Sequence, residues 1–129
     1  MSVRRLKREE GASAVEFAIV ASLLLLILFG IIQFGIAFNN YVALTDAVRA
    51  GARTASVSRF SPTPVADTTQ RVQTASGDLD PTKVNVVVTS TWVHGDDVVV
   101  SATYPYSISL FGVVVASGNL SSTTTDRVE

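Results

Sequence analysis

The feature that most constrains this chain is an apolar stretch that runs from Phe17 to Phe38. Between Phe17 and Ile32 the stretch contains no charged side chain, and Ser22 is its only polar one. A bilayer hydrocarbon core of about 30 Å needs about 20 apolar residues in a helix. The stretch therefore predicts a transmembrane helix rather than the core helix of a soluble protein.

The helical pattern continues beyond this stretch. An aromatic set at helical spacing consists of Phe34, Phe38 and Tyr41. A larger apolar stripe follows it: Leu44, Val48 and Ala52. Small residues four apart, which let helices approach closely, form a second stripe: Ala47, Gly51 and Ala55. We therefore expect one long helix from about Ala14 to about Val57, ended by Pro62 and Pro64 because proline cannot continue the ladder.

Length and charge limit what accompanies this helix. The 129 residues leave room for one small domain, and a formal net charge of −1 does not favour a nucleic-acid partner. The chain has no cysteine, which excludes a disulfide framework and a thiolate metal site. Four Lys/Arg precede the apolar stretch, and only Arg49 and Arg53 follow it closely. The positive-inside rule then predicts a cytoplasmic N-terminus and an extracytoplasmic C-terminal domain.

The border between the basic leader and the apolar stretch carries a glycine, Gly11, and an isolated carboxylate, Glu16. A charge at that depth is costly in a membrane and suggests a function. Three interpretations compete: an uncleaved signal anchor, a secretory signal cleaved near residues 35–37, and a prepilin-type leader cleaved after Gly11. The second needs an unusually long apolar region. Only the third explains the positions of both Gly11 and Glu16.

Three runs of this chain resemble TadE-like proteins, the pilin-like minor components of tight-adherence (Flp-type) pilus systems. They are Arg8-Glu9-Glu10-Gly11-Ala12-Ser13-Ala14-Val15-Glu16-Phe17-Ala18, Phe29-Gly30-Ile31-Ile32-Gln33-Phe34-Gly35 and Ala43-Leu44-Thr45-Asp46-Ala47-Val48-Arg49-Ala50-Gly51-Ala52-Arg53. The resemblance covers roughly residues 8–57. The chain departs from the family's frequent proline after the first apolar turn, where Ala21-Ser22 stands. Beyond residue 57 it resembles the family only in outline.

The resemblance implies a prepilin-type leader over residues 1–11, cleaved between Gly11 and Ala12 by a membrane prepilin peptidase. It also implies roles in assembly for Glu16 and Phe17. The protein would then be a substrate of that peptidase and not an enzyme. Its partners would be the lipid bilayer, the peptidase, other pilin-like subunits and the pilus assembly platform. It would reside in the cytoplasmic membrane as a single-pass protein, with a place at the pilus or cell surface.

The residue types at the border suit this chemistry. Glycine lets the backbone enter a protease cleft in an extended form. Cleavage would leave a free α-amine on Ala12, and Glu16 lies one helical turn further along the same face. The amine and the carboxylate could neutralise each other within one chain or between neighbours. Alternatively, Glu16 is simply solvated at the level of the lipid headgroups.

The fold class that we predict is α+β: the transmembrane and extended helix (residues 12–57) followed by a small β-rich domain (residues 58–129). Residues 65–75 could form a short helix, and residues 77–81 read as a loop. Alternating valines predict a hairpin of strands 84–92 and 98–104, with Trp92 on the valine face. We expect an irregular apolar loop over residues 107–118 and a possible third strand over 119–128. The antiparallel sheet should pack on the outer end of the long helix.

Evidence for other chemistry in the outer domain is thin. His94, Asp96 and Asp97 lie in a turn, and Asp78 and Asp80 lack the partners that a calcium loop requires. We therefore expect no catalytic residue, cofactor or metal. The alternative function is a signal-anchored extracytoplasmic binding module, not cleaved at Gly11, whose hairpin domain recognises a ligand.

Overall fold

The computed structural model of the protein describes residues 2–129, with side chains from residue 10 onward. Its elements are two helices and three strands: α1 (Ser2–Ser56), α2 (Pro64–Ala75), β1 (Asn85–Ser90), β2 (Asp97–Leu110) and β3 (Val113–Arg127). The strands form one antiparallel sheet in the order β1-β2-β3. The predicted α+β fold, a long apolar helix followed by a small antiparallel sheet, is confirmed.

Helix α1 is longer at its start than the sequence predicted. It begins at Ser2 instead of about Ala14. The leader contains three arginines, two glutamates, one lysine and one leucine, all good helix formers, and no proline precedes Pro62. The other end agrees with the prediction within a residue, since α1 stops at Ser56. There the N–H of Ser58 donates to the carbonyl of Ala55 at 3.1 Å, which closes the last turn.

Helix α2 begins with proline, which suits the first turn because its missing N–H needs no partner there. The Asp67 carboxylate accepts hydrogen bonds from the hydroxyls of Ser61 and Thr63, so it fixes the turn that leads into α2. The buried side of α2 consists of Thr68 and Val72. It packs on the small-residue stripe of α1, where a Cβ at Gly51 would overlap Cγ2 of Val72.

The core lies between the C-terminal part of α1, from Leu44 onward, α2 and one face of the sheet. We call this unit the outer domain, and this part of α1 its outer half, after the topology that the sequence predicts. The predicted stripe of α1 is buried: Leu44, Val48 and Ala52. Alternate residues of β2 are buried against it: Val98, Val100 and Ala102. Val86 and Val88 of β1 pack at the edge of the same core. The predicted inward faces of both strands are thus correct.

The C-terminus is tied to both the sheet connection and the end of α1. The Val128 N–H donates to the Asp96 carbonyl at 2.9 Å, and the Gly95 N–H donates to the Val128 carbonyl at 2.8 Å. The Glu129 N–H donates to the Ser56 carbonyl at 2.9 Å. These bonds, together with the burial of the Val128 side chain, close the domain around the outer end of α1.

The region 107–118 differs from the prediction of an irregular loop. It forms the far end of a long hairpin in which β2 and β3 pair from Asp97↔Arg127 to Leu110↔Val113. The turn residues Phe111 and Gly112 have φ angles of 51° and 82°. Two successive positive φ angles are typical of a type I′ hairpin turn, which matches the twist of the flanking strands. The third strand is confirmed and begins earlier than expected.

The first strand is shorter than predicted. It ends at Ser90, and Trp92 lies in the following connection with a φ angle of 57°. Trp92 still packs partly against the core. The strand ends early because the Ser90 hydroxyl accepts a hydrogen bond from the Trp92 N–H at 3.1 Å, which turns the backbone away from the ladder.

Gly51 offers a direct test of the close approach of α1 and α2. Alanine there should cost about 1–3 kcal/mol in packing, because Val72 is buried and its β-branched side chain cannot turn away freely. The gain of about 1 kcal/mol that alanine brings to a helix interior offsets part of this cost, so the full cost shows against a Gly→Ala change made in open space. Thermal unfolding of the full-length protein in detergent, followed by circular dichroism, measures the difference.

Gly35→Ala is the matched control, because Gly35 lies in the same helix with no atom within 4 Å of the position that a Cβ would take. It should unfold at the wild-type temperature or slightly above it. A Gly51→Ala protein that is as stable as Gly35→Ala would contradict the packing described for α1 and α2.

Candidate functional site

The predicted processing and assembly residues all lie near the N-terminal end of α1. Gly11, Ala12, Glu16 and Phe17 are exposed, and the Phe17 side chain is 74% exposed. Because α1 is continuous here, Ala12 and Glu16 lie one turn apart on the same face. The fold brings these two positions together on the helix surface and packs nothing of the outer domain against them.

The Gly11–Ala12 peptide is part of the helix and not of an extended segment. A protease cleft that accepts extended backbone can reach this bond only after the helix unwinds locally. Glycine weakens a helix by about 1 kcal/mol relative to alanine, so unwinding costs less at Gly11 than at its neighbours. The backbone of Gly11 is also open, with no atom within 4 Å of where a Cβ would stand.

Helix α1 is the one described helix that is long and apolar enough to cross a membrane, and none of its most apolar window is buried by the rest of the chain. Its large side chains are exposed on all sides from Val15 to Phe38. A helix that is apolar all round requires a lipid or protein environment. The polar hydroxyl of Ser22 is satisfied within the helix, since it donates to the Ala18 carbonyl at 2.7 Å.

The long hairpin lies alongside the second half of this apolar segment. Between them is a cleft of about 420 Å³, lined on the helix by Phe34, Ala37, Phe38 and Tyr41 and on the hairpin by Tyr106, Ile108, Asn119, Leu120 and Ser121. The aromatic set predicted from helical spacing therefore faces the hairpin. At the end of the hairpin, the rings of Phe29 and Phe111 meet edge to face with centroids 5.6 Å apart, a favourable geometry for aromatic pairs.

Sequence reasoning missed this cleft and the Phe29–Phe111 contact. One sequence signal could have indicated them: no charged residue occurs from Val98 to Thr125. A solvent-exposed hairpin of that length normally carries charges on its outward face. Their absence is consistent with an apolar neighbour on more than one side.

His94 and Asp96 lie in the predicted turn, whereas Asp97 is the first residue of β2. The Thr91 hydroxyl donates to the Asp96 carboxylate at 2.6 Å, and the Asp96 N–H donates to the Val93 carbonyl at 3.0 Å. Among the side chains that the structure describes, no group of three or more His, Cys, Asp or Glu could hold a metal ion. The Asp96 carboxylate thus holds the Thr91 side chain across this connection.

Asp80 has a similar local role in the loop before β1. The Thr82 hydroxyl and the Thr82 N–H both donate to its carboxylate, at 2.6 and 3.0 Å, and they lower the pKa of Asp80 below its usual value. The Lys83 ammonium, 3.7 Å from the carboxylate, lowers the same pKa further. Both partners are near neighbours in the chain, so the shift reflects a stabilised loop.

Part of α1 matches a known protein family. Residues 11–53 match the family model of TadE-like proteins. The match confirms, over these residues, the resemblance to TadE-like proteins seen in the sequence. It covers the apolar segment and most of the outer half of α1, whereas α2 and the sheet lie beyond it. No curated protein and no solved structure shows significant similarity to the chain.

Proposed function

We propose that this protein is a pilin-like structural or assembly component of a tight-adherence (Flp-type) pilus, matured by a prepilin peptidase that cuts after Gly11. The observation that carries the proposal is the TadE-like helix itself. Over residues 11–53 it matches the family, and it continues without a break from the bare apolar segment into the core of the outer domain.

In this proposal α1 crosses the cytoplasmic membrane once. The basic leader stays in the cytoplasm, because positive residues are retained on that side, and residues 58–129 form an extracytoplasmic domain. The lipid bilayer covers the apolar surface of α1 before assembly. The helices of other pilin-like subunits cover it afterwards, either in the filament or at the assembly platform.

Cleavage would give Ala12 a free α-amine one turn from Glu16. In a low-dielectric environment an unpaired carboxylate is costly, whereas an amine and a carboxylate about 4 Å apart attract each other by about 4 kcal/mol at an effective dielectric constant of about 20. Glu16 would therefore favour a position in which it meets an Ala12 amine, its own or that of a neighbouring subunit. Phe17 would pack against the neighbouring helix at the same level.

The proposed role is structural and not catalytic. The TadE-like match supports this, since the pilin-like components of these systems act as structural parts. A signal-anchored binding module is the other candidate from a different class. It differs in one measurable respect, because it would function as the full-length chain.

The mature protein should begin at Ala12 when it is isolated from its own host. Gly11→Val should keep the full leader, because a β-branched side chain hinders entry of the scissile bond into a protease cleft. Gly30→Val is the matched control and should be processed normally, since Gly30 also lies in α1 with open space around it. Intact mass spectrometry distinguishes the two forms. A mature chain that starts at Met1, Ser2 or Phe38 would contradict the pilin-like function.

Glu16→Ala should be inserted and cleaved like the wild type, because it removes a charge from an apolar helix and leaves Gly11 in place. Pilus output should nevertheless fall by roughly tenfold or more, since the loss of an ion pair at low dielectric is on the order of several kcal/mol. Glu16→Asp, which keeps the carboxylate, should retain more output than Glu16→Ala. Counting pili by electron microscopy tests this. Unchanged output in Glu16→Ala would mean that Glu16 is only a solvated carboxylate at headgroup level.

A further inference from the structure

The end of the β2–β3 hairpin, which we call the hairpin tip (residues 108–116), exposes an unusual amount of apolar surface. Phe111 is 73% exposed, and the three valines after the turn, Val113, Val114 and Val115, are 65%, 59% and 56% exposed. The nearest charged residues in the chain are Asp97 and Asp126, both at the opposite end of the hairpin. Exposed apolar patches of this kind mark interaction sites.

On its β3 side the hairpin tip is apolar on both faces, whereas on its β2 side Ser109 alternates with Ile108 and Leu110. Successive side chains of a strand point to opposite sides, so the consecutive valines at 113, 114 and 115 place apolar groups on each side. Leu110 and Ile108 on the paired strand add to the same surface. An antiparallel hairpin with one face in water would alternate apolar and polar residues. This tip is suited to an apolar medium that surrounds it.

The contact between Phe111 and Phe29 sets the level of the hairpin tip along α1. At 1.5 Å per residue, Phe29 lies about 18 Å beyond Phe17 and about 27 Å beyond Gly11. The hydrocarbon core of a bilayer is about 30 Å thick. Whether the core begins at Gly11 or at Phe17, Phe29 falls inside it or at its outer boundary. The tip lies at the same depth.

We propose that the hairpin tip inserts into the outer leaflet of the bilayer, so that lipid acyl chains cover its apolar surface. This inference rests on the part of the proposed function in which α1 crosses the membrane. The occupant is lipid because the tip continues the bare apolar surface of α1 at the same level, and that surface lacks any other cover within the described part of the chain.

The backbone limits how deep the hairpin enters. Strand β1 pairs with β2 only as far as Thr103, so the hairpin beyond it is two-stranded. Its edges carry N–H and C=O groups that hydrocarbon cannot satisfy. A shallow position, with the inner boundary of the core near Gly11 and Phe29 about 3 Å below the outer boundary, lets the tip insert its side chains while the strands above it stay in the hydrated interface. Tyr41 and Tyr106, which line the cleft above the tip, are at the level where tyrosine is enriched in membrane proteins.

Insertion of the tip gives the outer domain a second membrane contact beside α1. Two contacts restrict the tilt of the domain relative to the bilayer, whereas one helix alone leaves that tilt free to vary. Extraction of the protein from the membrane would then require both the helix and the tip to leave lipid.

The experiment uses single-cysteine variants of the full-length protein, which has no cysteine of its own. Val114→Cys places an environment-sensitive fluorophore on the tip, and Thr125→Cys places it on an exposed position near the charged end of the sheet. Leu25→Cys places it in the middle of the apolar segment of α1. Each variant is reconstituted in phosphatidylcholine vesicles, with and without lipids brominated at a shallow acyl position, and the quenching of fluorescence is measured.

We expect several-fold stronger quenching at position 114 than at position 125. Adding Val115→Asp to the Val114→Cys variant should reduce its quenching to the level of position 125, because a carboxylate opposes insertion, whereas adding Val115→Ile should not. Quenching at position 114 no stronger than at position 125 would overturn the inference, and so would quenching that Val115→Asp leaves unchanged. Position 25 decides separately whether α1 lies in the bilayer, so a failure of the tip and a failure of the membrane anchor are distinguishable.

Discussion

One continuous helix supplies both the apolar segment and the central element of the outer domain, and the rest of the structure depends on it. Up to about Phe38 its surface is apolar on all sides, and only the side that faces the hairpin from Phe29 onward contacts the rest of the chain. From Leu44 to Ala55 one side of the same helix is buried beneath α2 and the sheet. No flexible linker separates the two parts, because α1 is unbroken from Ser2 to Ser56. The position of the helix therefore determines the position of the domain.

Much of this architecture could be predicted because its periodicities are strong. Leu44, Val48 and Ala52 repeat with the helical period, and the valines of β1 and β2 alternate with polar residues. Each pattern predicts one apolar face of its helix or strand, and that face is buried in the structure. The small residue Gly51 also pointed correctly to a close helix contact, although the sequence alone could not identify α2 as the partner.

The long hairpin was missed for a physical reason. Its far end carries apolar residues on both faces, so the period-two signal that identifies a half-buried strand is absent from residues 113–115. The turn is formed by Phe111 and Gly112, whereas two-residue hairpin turns favour Asn-Gly or Asp-Gly. The start of α1 was placed too late because a change from charged to apolar residues alters the environment of a helix without ending it.

The function of the candidate site could be predicted only in part from the sequence, because it depends on more than the folded chain. Gly11 and Glu16 stand out in the sequence because they break the composition around them, but their proposed roles depend on a bilayer, a peptidase and neighbouring subunits. The folded chain contributes the exposed helical geometry of Ala12 and Glu16. The Phe29–Phe111 contact, in contrast, is visible only in the folded chain. It depends on the length and register of the hairpin, which no local sequence pattern encodes.

The proposed function requires that α1 crosses the membrane with the sheet on the outer side. A Thr125→Cys variant, treated in intact spheroplasts with a membrane-impermeant maleimide, tests this because residue 125 is exposed on the sheet and the chain has no other cysteine. A cytoplasmic protein with an accessible cysteine reports lysis. If the sheet lies outside the membrane, residue 125 should be fully labelled while the cytoplasmic protein stays unlabelled. Labelling at residue 125 only after lysis would contradict this topology.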